Sequence, residues 1–350
     1  KFTCARSMER LSYFALFCLT LGSSIQDELP IVNTNLGKVR GHYKYSYEDR
    51  LFAAFEGIPY AKPPVGDLRF SEPEHAEPWS GIFDATVIHQ CSSHVGPDLA
   101  DTNEDCLYIN VYVPRKEPIP NENLDVIVHI HGGAFMLGSL DISGPEFLMD
   151  RDVIYVNLNY RLGVFGFLST GDDVVPGNNG LKDQVLALKW VQSNIKYFGG
   201  NPNSVTITGV SAGGACVHLH YFSDLSKGLF HRGISHSGTA LSPWAIYDKP
   251  LDNALKIAKS VGCTQSLIND VVDCLKTKSA KELALATFST FEYFGFPVAP
   301  FAPVVEKPSK TAFLSEHPFD LLQKGDIIDV PWISTITADE GLVTYFFAPK

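Results

Sequence analysis

The 350 residues contain no apolar run of the ~20 residues needed to cross a bilayer. The longest such stretch near the start, Leu11 to Leu21, reaches roughly half of that length. Basic residues are in deficit, with 28 Lys and Arg against 39 Asp and Glu and a net charge of −11. Without a basic run, the chain lacks the electrostatic footprint of a protein that binds nucleic acid or an anionic membrane. Seven cysteines form no Cys-x-x-Cys pair, and eleven histidines form no His-x-x-x-His spacing, so neither a metal nor a cofactor is expected. No N-x-S/T acceptor, internal repeat, low-complexity tract or linker interrupts the chain. What remains is ordinary globular composition, 45% apolar and 19% charged, enough for one large α/β domain or two ordinary ones.

Chemistry concentrates at Ser211. It sits in Gly209-Val210-Ser211-Ala212-Gly213-Gly214, directly after the β-branched run Val205-Thr206-Ile207-Thr208. That run reads as a short buried strand, and Ala215 to Phe222 can continue as a helix. Strand, sharp turn and helix are the context in which G-x-S-x-G exposes a nucleophile. A second apolar run, Val126-Ile127-Val128-His129-Ile130, empties into His131-Gly132-Gly133-Ala134-Phe135. Small residues there let backbone N–H groups turn toward a developing oxyanion, where one donor is worth about 3 kcal/mol. Taken alone, the loop is an ordinary glycine-rich turn; with Ser211 downstream it resembles the HGG oxyanion loop of lipases and esterases.

From this point the chain resembles the type-B carboxylesterases, the cholinesterase-like branch of the α/β-hydrolases, with an insect-esterase flavour. The blocks that carry the resemblance are Gly57 to Gly66, Glu104 to Tyr112, Asn159-Tyr160-Arg161-Leu162-Gly163, Gly177 to Gln184 and Phe198 to Pro202. It runs from about Leu29 to the last residue. The implied fold is an α/β-hydrolase with a mostly parallel central sheet, helices on both faces and its C-terminal part missing. Strands are expected at 126–130, 153–159, 205–210, 232–236 and 330–337. The clearest helix runs from Gly180 to Tyr197, with Leu181, Val185, Leu188, Val191 and Ile195 at helical spacing.

The resemblance implies that Ser211 is the nucleophile and that Gly133, Ala134 and Ala212 supply the oxyanion N–H groups. It makes Glu340, in Ala338-Asp339-Glu340-Gly341 after the strand, the acid of the triad; the bland alternative is a solvated pair opening a loop. It gives Ser237 a supporting hydrogen bond to that acid. It places Trp244 and Phe301 on the acyl pocket, against a plain core role. It pairs Cys91 with Cys106 and Cys263 with Cys274, which leaves Cys216 as a small buried hydrophobe. The Cys91–Cys106 loop has no tryptophan to hold a quaternary ammonium by cation–π attraction, which argues against choline esters. Val210 stands where many relatives carry Glu and juvenile-hormone esterases carry Gln, which points to a general or odorant-type esterase.

The triad order of these hydrolases is Ser, then Asp or Glu, then His, yet no histidine follows Glu340. His131, His218, His220 and His236 read as structural or surface residues. The catalytic histidine is therefore expected beyond Lys350, and the fragment as it stands is expected to be inactive. Lys1 to Ser7 precede Met8 and read as upstream residues. Residues 8–24 read as a secretory signal, and 25–350 as an incomplete hydrolase domain. The expected parent is a secreted, extracellular serine carboxylesterase acting on a small-molecule ester, with no cofactor, no membrane span and no nucleic-acid partner. The alternative is a non-catalytic esterase-like protein of binding or adhesion.

Overall fold

Along strands from both halves of the chain, β-branched and aliphatic residues alternate between two destinations, and that alternation builds the sheet. The computed structural model describes residues 28–92, 103–141, 143–291 and 299–342. The expected leader segments 1–7 and 8–24, and most of the Cys91–Cys106 loop, lie outside the described residues. The strands, in chain order, are β1 (Ile31–Asn33), β2 (Lys38–Arg40), β3 (His42–Tyr45), β4 (Leu51–Pro59), β5 (Ile82–Asp84), β6 (Tyr108–Val113) and β7 (Leu124–Ile130). They continue with β8 (Val153–Leu158), β9 (Gly200–Val210), β10 (Arg232–His236) and β11 (Trp332–Thr335). Eight of them form one sheet in the order β11-β10-β9-β7-β8-β6-β4-β3, and β1, β2 and β5 form a small second sheet. The run from β11 to β8 is parallel; β6, β4 and β3 join antiparallel. This is the mostly parallel α/β-hydrolase sheet that the sequence leads one to expect.

The described α-helices are α1 (Gly163–Phe167), α2 (Asn179–Asn194), α3 (Ala212–His220), α4 (Pro250–Ser260), α5 (Ile268–Lys276), α6 (Ala280–Ala286) and α7 (Pro318–Lys324). The expected helix from Gly180 to Tyr197 is α2 followed by a tighter turn, Ile195–Phe198, which the left-handed Gly199 ends. Each of the seven contributes buried apolar side chains to one core, together with Val126, Val128, Ile130, Val205 and Ile207 of the sheet. The alternate residues of the strands face the other way. There Phe52, Ala54, Tyr112, Met149 and Tyr155 form a smaller cluster with no α-helical member. Among the described residues this second cluster draws on strands and the Leu148–Asp150 turn.

Two buried ion pairs lock α2 under the sheet. Arg161, at the exit of β8, forms a forked pair with Asp183 at 2.7 and 2.8 Å, and both side chains are almost fully enclosed. Lys182 meets Glu306 at 2.7 Å, while the other oxygen of Glu306 accepts from Asn178 and from the Phe313 N–H. Disulfides join Cys91 to Cys106 and Cys263 to Cys274, as the resemblance implies. Cys216 is free and buried, and burial pushes its thiol up to about 12, so it is no nucleophile.

Candidate active site

Sheet register decides where the site residues emerge. Ile130 pairs with Gly209, Val210 with His236, and His236 with Thr335. The carboxyl ends of β7, β9, β10 and β11, four adjacent strands, therefore lie in one row. From that row the chain steps out at His131, Ser211, Ser237 and Ile336. In open α/β sheets this edge is where ligands bind.

Ser211 occupies a strained turn, φ 58° and ψ −122°, between β9 and α3. Such a conformation costs a non-glycine residue on the order of 1–3 kcal/mol and persists only when its surroundings impose it. They do so here. The Ser211 N–H donates to the His236 carbonyl at 2.8 Å, and its own carbonyl accepts from Ala215 at 2.9 Å. Gly213 passes so close to β7 that a Cβ there would lie 2.1 Å from the Ile130 carbonyl oxygen. Gly132 does the same from the opposite side: a Cβ would lie 2.4 Å from the Val210 oxygen and 3.3 Å from the Ser211 Cβ. The glycine-rich loop thus lies directly against the serine.

That loop is wound backwards. Gly133, Ala134 and Phe135 have φ of 113°, 54° and 58°. The Gly133 carbonyl accepts from Met136 at 2.9 Å and from Leu137 at 3.0 Å, and the Phe135 carbonyl accepts from Gly163 at 2.7 Å. Phe135 is fully buried and packs on Phe167 at 5.2 Å, which anchors the loop in the core. Among the described residues the N–H groups of Gly133, Ala134 and Ala212 donate to no protein acceptor. Three uncommitted donors beside a serine hydroxyl are what an oxyanion requires.

Glu340 is partly exposed beyond β11. Its Oε2 accepts from the Ser237 hydroxyl at 3.1 Å, from the Thr337 N–H at 3.2 Å and from the Thr337 hydroxyl. These hydrogen bonds, the Thr337 hydroxyl foremost, hold the carboxyl below its ordinary range. Oε1 has no partner among the described residues, so one oxygen is tied and the other is uncommitted. Ser237 is itself fixed by donating its N–H to the Thr335 carbonyl at 2.8 Å. Thr337 escaped the sequence reading. The signal was there in Thr337-Ala338-Asp339-Glu340, the T-x-x-E spacing in which a hydroxyl and a carboxylate meet across one turn.

The histidines go elsewhere. His218 stacks on Trp332 at 4.2 Å and accepts from the Ala240 N–H. His220 bonds Ser226 at 2.7 Å and Gln184 at 3.0 Å, and His236 bonds Thr335 at 2.8 Å. No described histidine bonds the Ser211 hydroxyl. Trp244 is half-buried, 6.1 Å from Phe135. Phe301 is buried in the main core, with no ring contact to Trp244 or Phe135 among the described residues. Of the sequence-derived residues, Ser211, the glycine loop, Ser237 and Glu340 come together at one edge, and Trp244 packs beside Phe135 of that loop.

A model of the carboxylesterase family matches residues 28–350. Venom carboxylesterase-6 of Apis mellifera is 45% identical over 347 residues, which is 96% of this chain and 62% of that protein. Juvenile hormone esterase of Tribolium castaneum is 46% identical over 332 residues, 90% of this chain and 55% of the relative. The crystal structure of juvenile hormone esterase from Manduca sexta, with OTFP covalently attached, superposes with a TM-score of 0.80 at 36% identity. It covers 87% of this chain and 59% of its own. The chain thus spans 55–62% of the length of these relatives.

Proposed function

The chain belongs to the carboxylesterase family, and on that premise we propose that the whole protein is a secreted serine carboxylesterase working through an acyl-enzyme at Ser211. A base takes the Ser211 proton as its oxygen attacks the ester carbonyl. The resulting oxyanion is met by the N–H groups of Gly133, Ala134 and Ala212. The same base returns the proton to the departing alcohol, and water then repeats the sequence to release the acid. Glu340, held by Ser237 and Thr337 through Oε2, orients the base through Oε1. The base is a histidine outside these 350 residues, so the 350 residues alone do not turn over.

The observation that carries this reading is the row of strand ends that sets a strained serine against three uncommitted N–H donors and a half-tied carboxylate. Two disulfides fit an oxidising, extracellular compartment. Val210 and a Cys91–Cys106 loop without tryptophan favour general carboxylic esters over choline esters. Trp244, beside Phe135, favours short or medium acyl groups. The test is hydrolysis of p-nitrophenyl butyrate by the protein read from its full transcript, beside its S211A variant and the 350-residue chain. Turnover in the first and a loss of ~10⁴-fold or more in the other two is expected. Turnover that survives S211A, or a full-length protein that is inert, overturns the proposal.

A further inference from the structure

His131 takes no part in the scheme above, yet its ring is buried beside the oxyanion loop, 3% exposed. It stacks on Tyr160, with centroids 4.5 Å apart and planes at 19°, and the Tyr160 hydroxyl donates to the His131 carbonyl at 3.0 Å. On another side Gly138 leaves no slack: a Cβ there would lie 2.3 Å from Nδ1. Nδ1 itself lies 2.8 Å from the Gly132 carbonyl oxygen, and Nε2 is buried with no partner. A carbonyl oxygen only accepts, so the proton sits on Nδ1 and Nε2 is bare. Burial holds the ring neutral, pushing its pKa down to about 4.

The consequence follows from the planarity of the peptide unit. In a trans peptide the carbonyl of one residue and the N–H of the next lie in one plane and point opposite ways. Whatever holds the Gly133 carbonyl therefore aims the Ala134 N–H, and Met136 and Leu137 hold it. Whatever holds the Gly132 carbonyl aims the Gly133 N–H, and among the described residues that is the His131 ring alone. The Gly132–Gly133 peptide needs such a hold, because neither residue has a side chain to restrict its rotation. We propose that His131, as its Nδ1–H tautomer, is a positioning residue that fixes the Gly132–Gly133 peptide plane and so directs the Gly133 N–H onto the oxyanion.

This inference rests on the carboxylesterase reading, and its test separates the two. In the full-length protein, kcat and KM for p-nitrophenyl butyrate are measured for H131N, H131Q and H131L. The Asn amide stands where Nδ1–H stands, the Gln amide stands where Nε2 stands, and Leu has no donor. H131Q and H131L are expected to lower kcat ~10–100-fold with KM within ~2-fold, and H131N to stay within ~3-fold of wild type. An H131Q variant as fast as wild type, or a folded H131N as slow as H131L, overturns the proposal. The tautomer is read independently, and without turnover, from ¹⁵N-histidine spectra of the wild-type full-length protein, with the contact to the Tyr160 ring locating the signal. A protonated Nδ1 is expected; a protonated Nε2 overturns the proposal even if every variant fails to fold. A wild-type enzyme without turnover would refute the carboxylesterase reading while the tautomer result stood.

Discussion

Removing one partner of the Arg161–Asp183 pair should cost far more than removing both. Asp183 is fully buried and Arg161 nearly so. Besides the forked pair, the carboxylate accepts the Arg161 backbone N–H at 3.0 Å, and the guanidinium donates to the Ser71 carbonyl at 2.7 Å. D183N keeps the shape and leaves a guanidinium buried without its counter-charge, which costs about 3–5 kcal/mol. At ~2.1 cal/mol/K per residue, the 350-residue chain unfolds with an entropy of ~0.7 kcal/mol/K, so a loss of ~4 kcal/mol lowers Tm by ~6 °C. R161M should cost a similar amount by stranding the carboxylate. The double variant R161M/D183L strands no charge; it orphans the Arg161 N–H and the Ser71 carbonyl, for ~2 kcal/mol together. Urea unfolding of the four proteins, followed by circular dichroism, gives the coupling. Singles near 4 kcal/mol with a double near 2 kcal/mol support the reasoning. A double equal to the sum of the singles refutes it and makes the pair two independent contacts.

Glu56 offers a pH test. Burial alone would raise its pKa, but hydrogen bonds from His42, Lys44 and Tyr112 outweigh this and lower it from 4.5 to about 2. A carboxylate with a lowered folded pKa stabilises above 4.5 and loses that contribution as the pH falls toward 2. E56Q should therefore cost ~3 kcal/mol at pH 7, and its gap from wild type in urea midpoints should close between about pH 5 and pH 2. G213A should be among the worst single-methyl additions to the fold. The new Cβ meets the Ile130 oxygen at 2.1 Å and the His131 oxygen at 2.8 Å, both backbone. A loss of ~3 kcal/mol or more is expected, checked by Tm and soluble yield.

The parallel strands and the nucleophile turn were legible because their signals are local: a β-branched run, then glycines at fixed offsets around one serine. The antiparallel half was not. β4 is buried on both faces over nearly its whole length and carries a register shift between Phe55 and Ile58, so its sequence shows no period of two. β1, β2 and β5 are three residues each, below what periodicity detects. The partner of Arg161 could not be read from spacing, since only the fold brings Asp183 to it. Thr337 was missed for a different reason: its hydroxyl matters only once the turn after β11 folds it back onto Glu340.

Adjacent strands β10 and β11 are joined by a long excursion, residues 237–331, that carries four of the described helices and Trp244. Ser211 takes its bearing from the last rung of β10, through the His236 carbonyl, and Ser237 takes its bearing from the last rung of β11, through the Thr335 carbonyl. The spacing of Ser211 and Glu340 is thus measured in rungs of the sheet, and only the head of the excursion, Ser237 and Gly238, is packed into that frame. A change in length beyond Gly238 would therefore alter the surroundings of Trp244 while leaving both of those backbone hydrogen bonds in place.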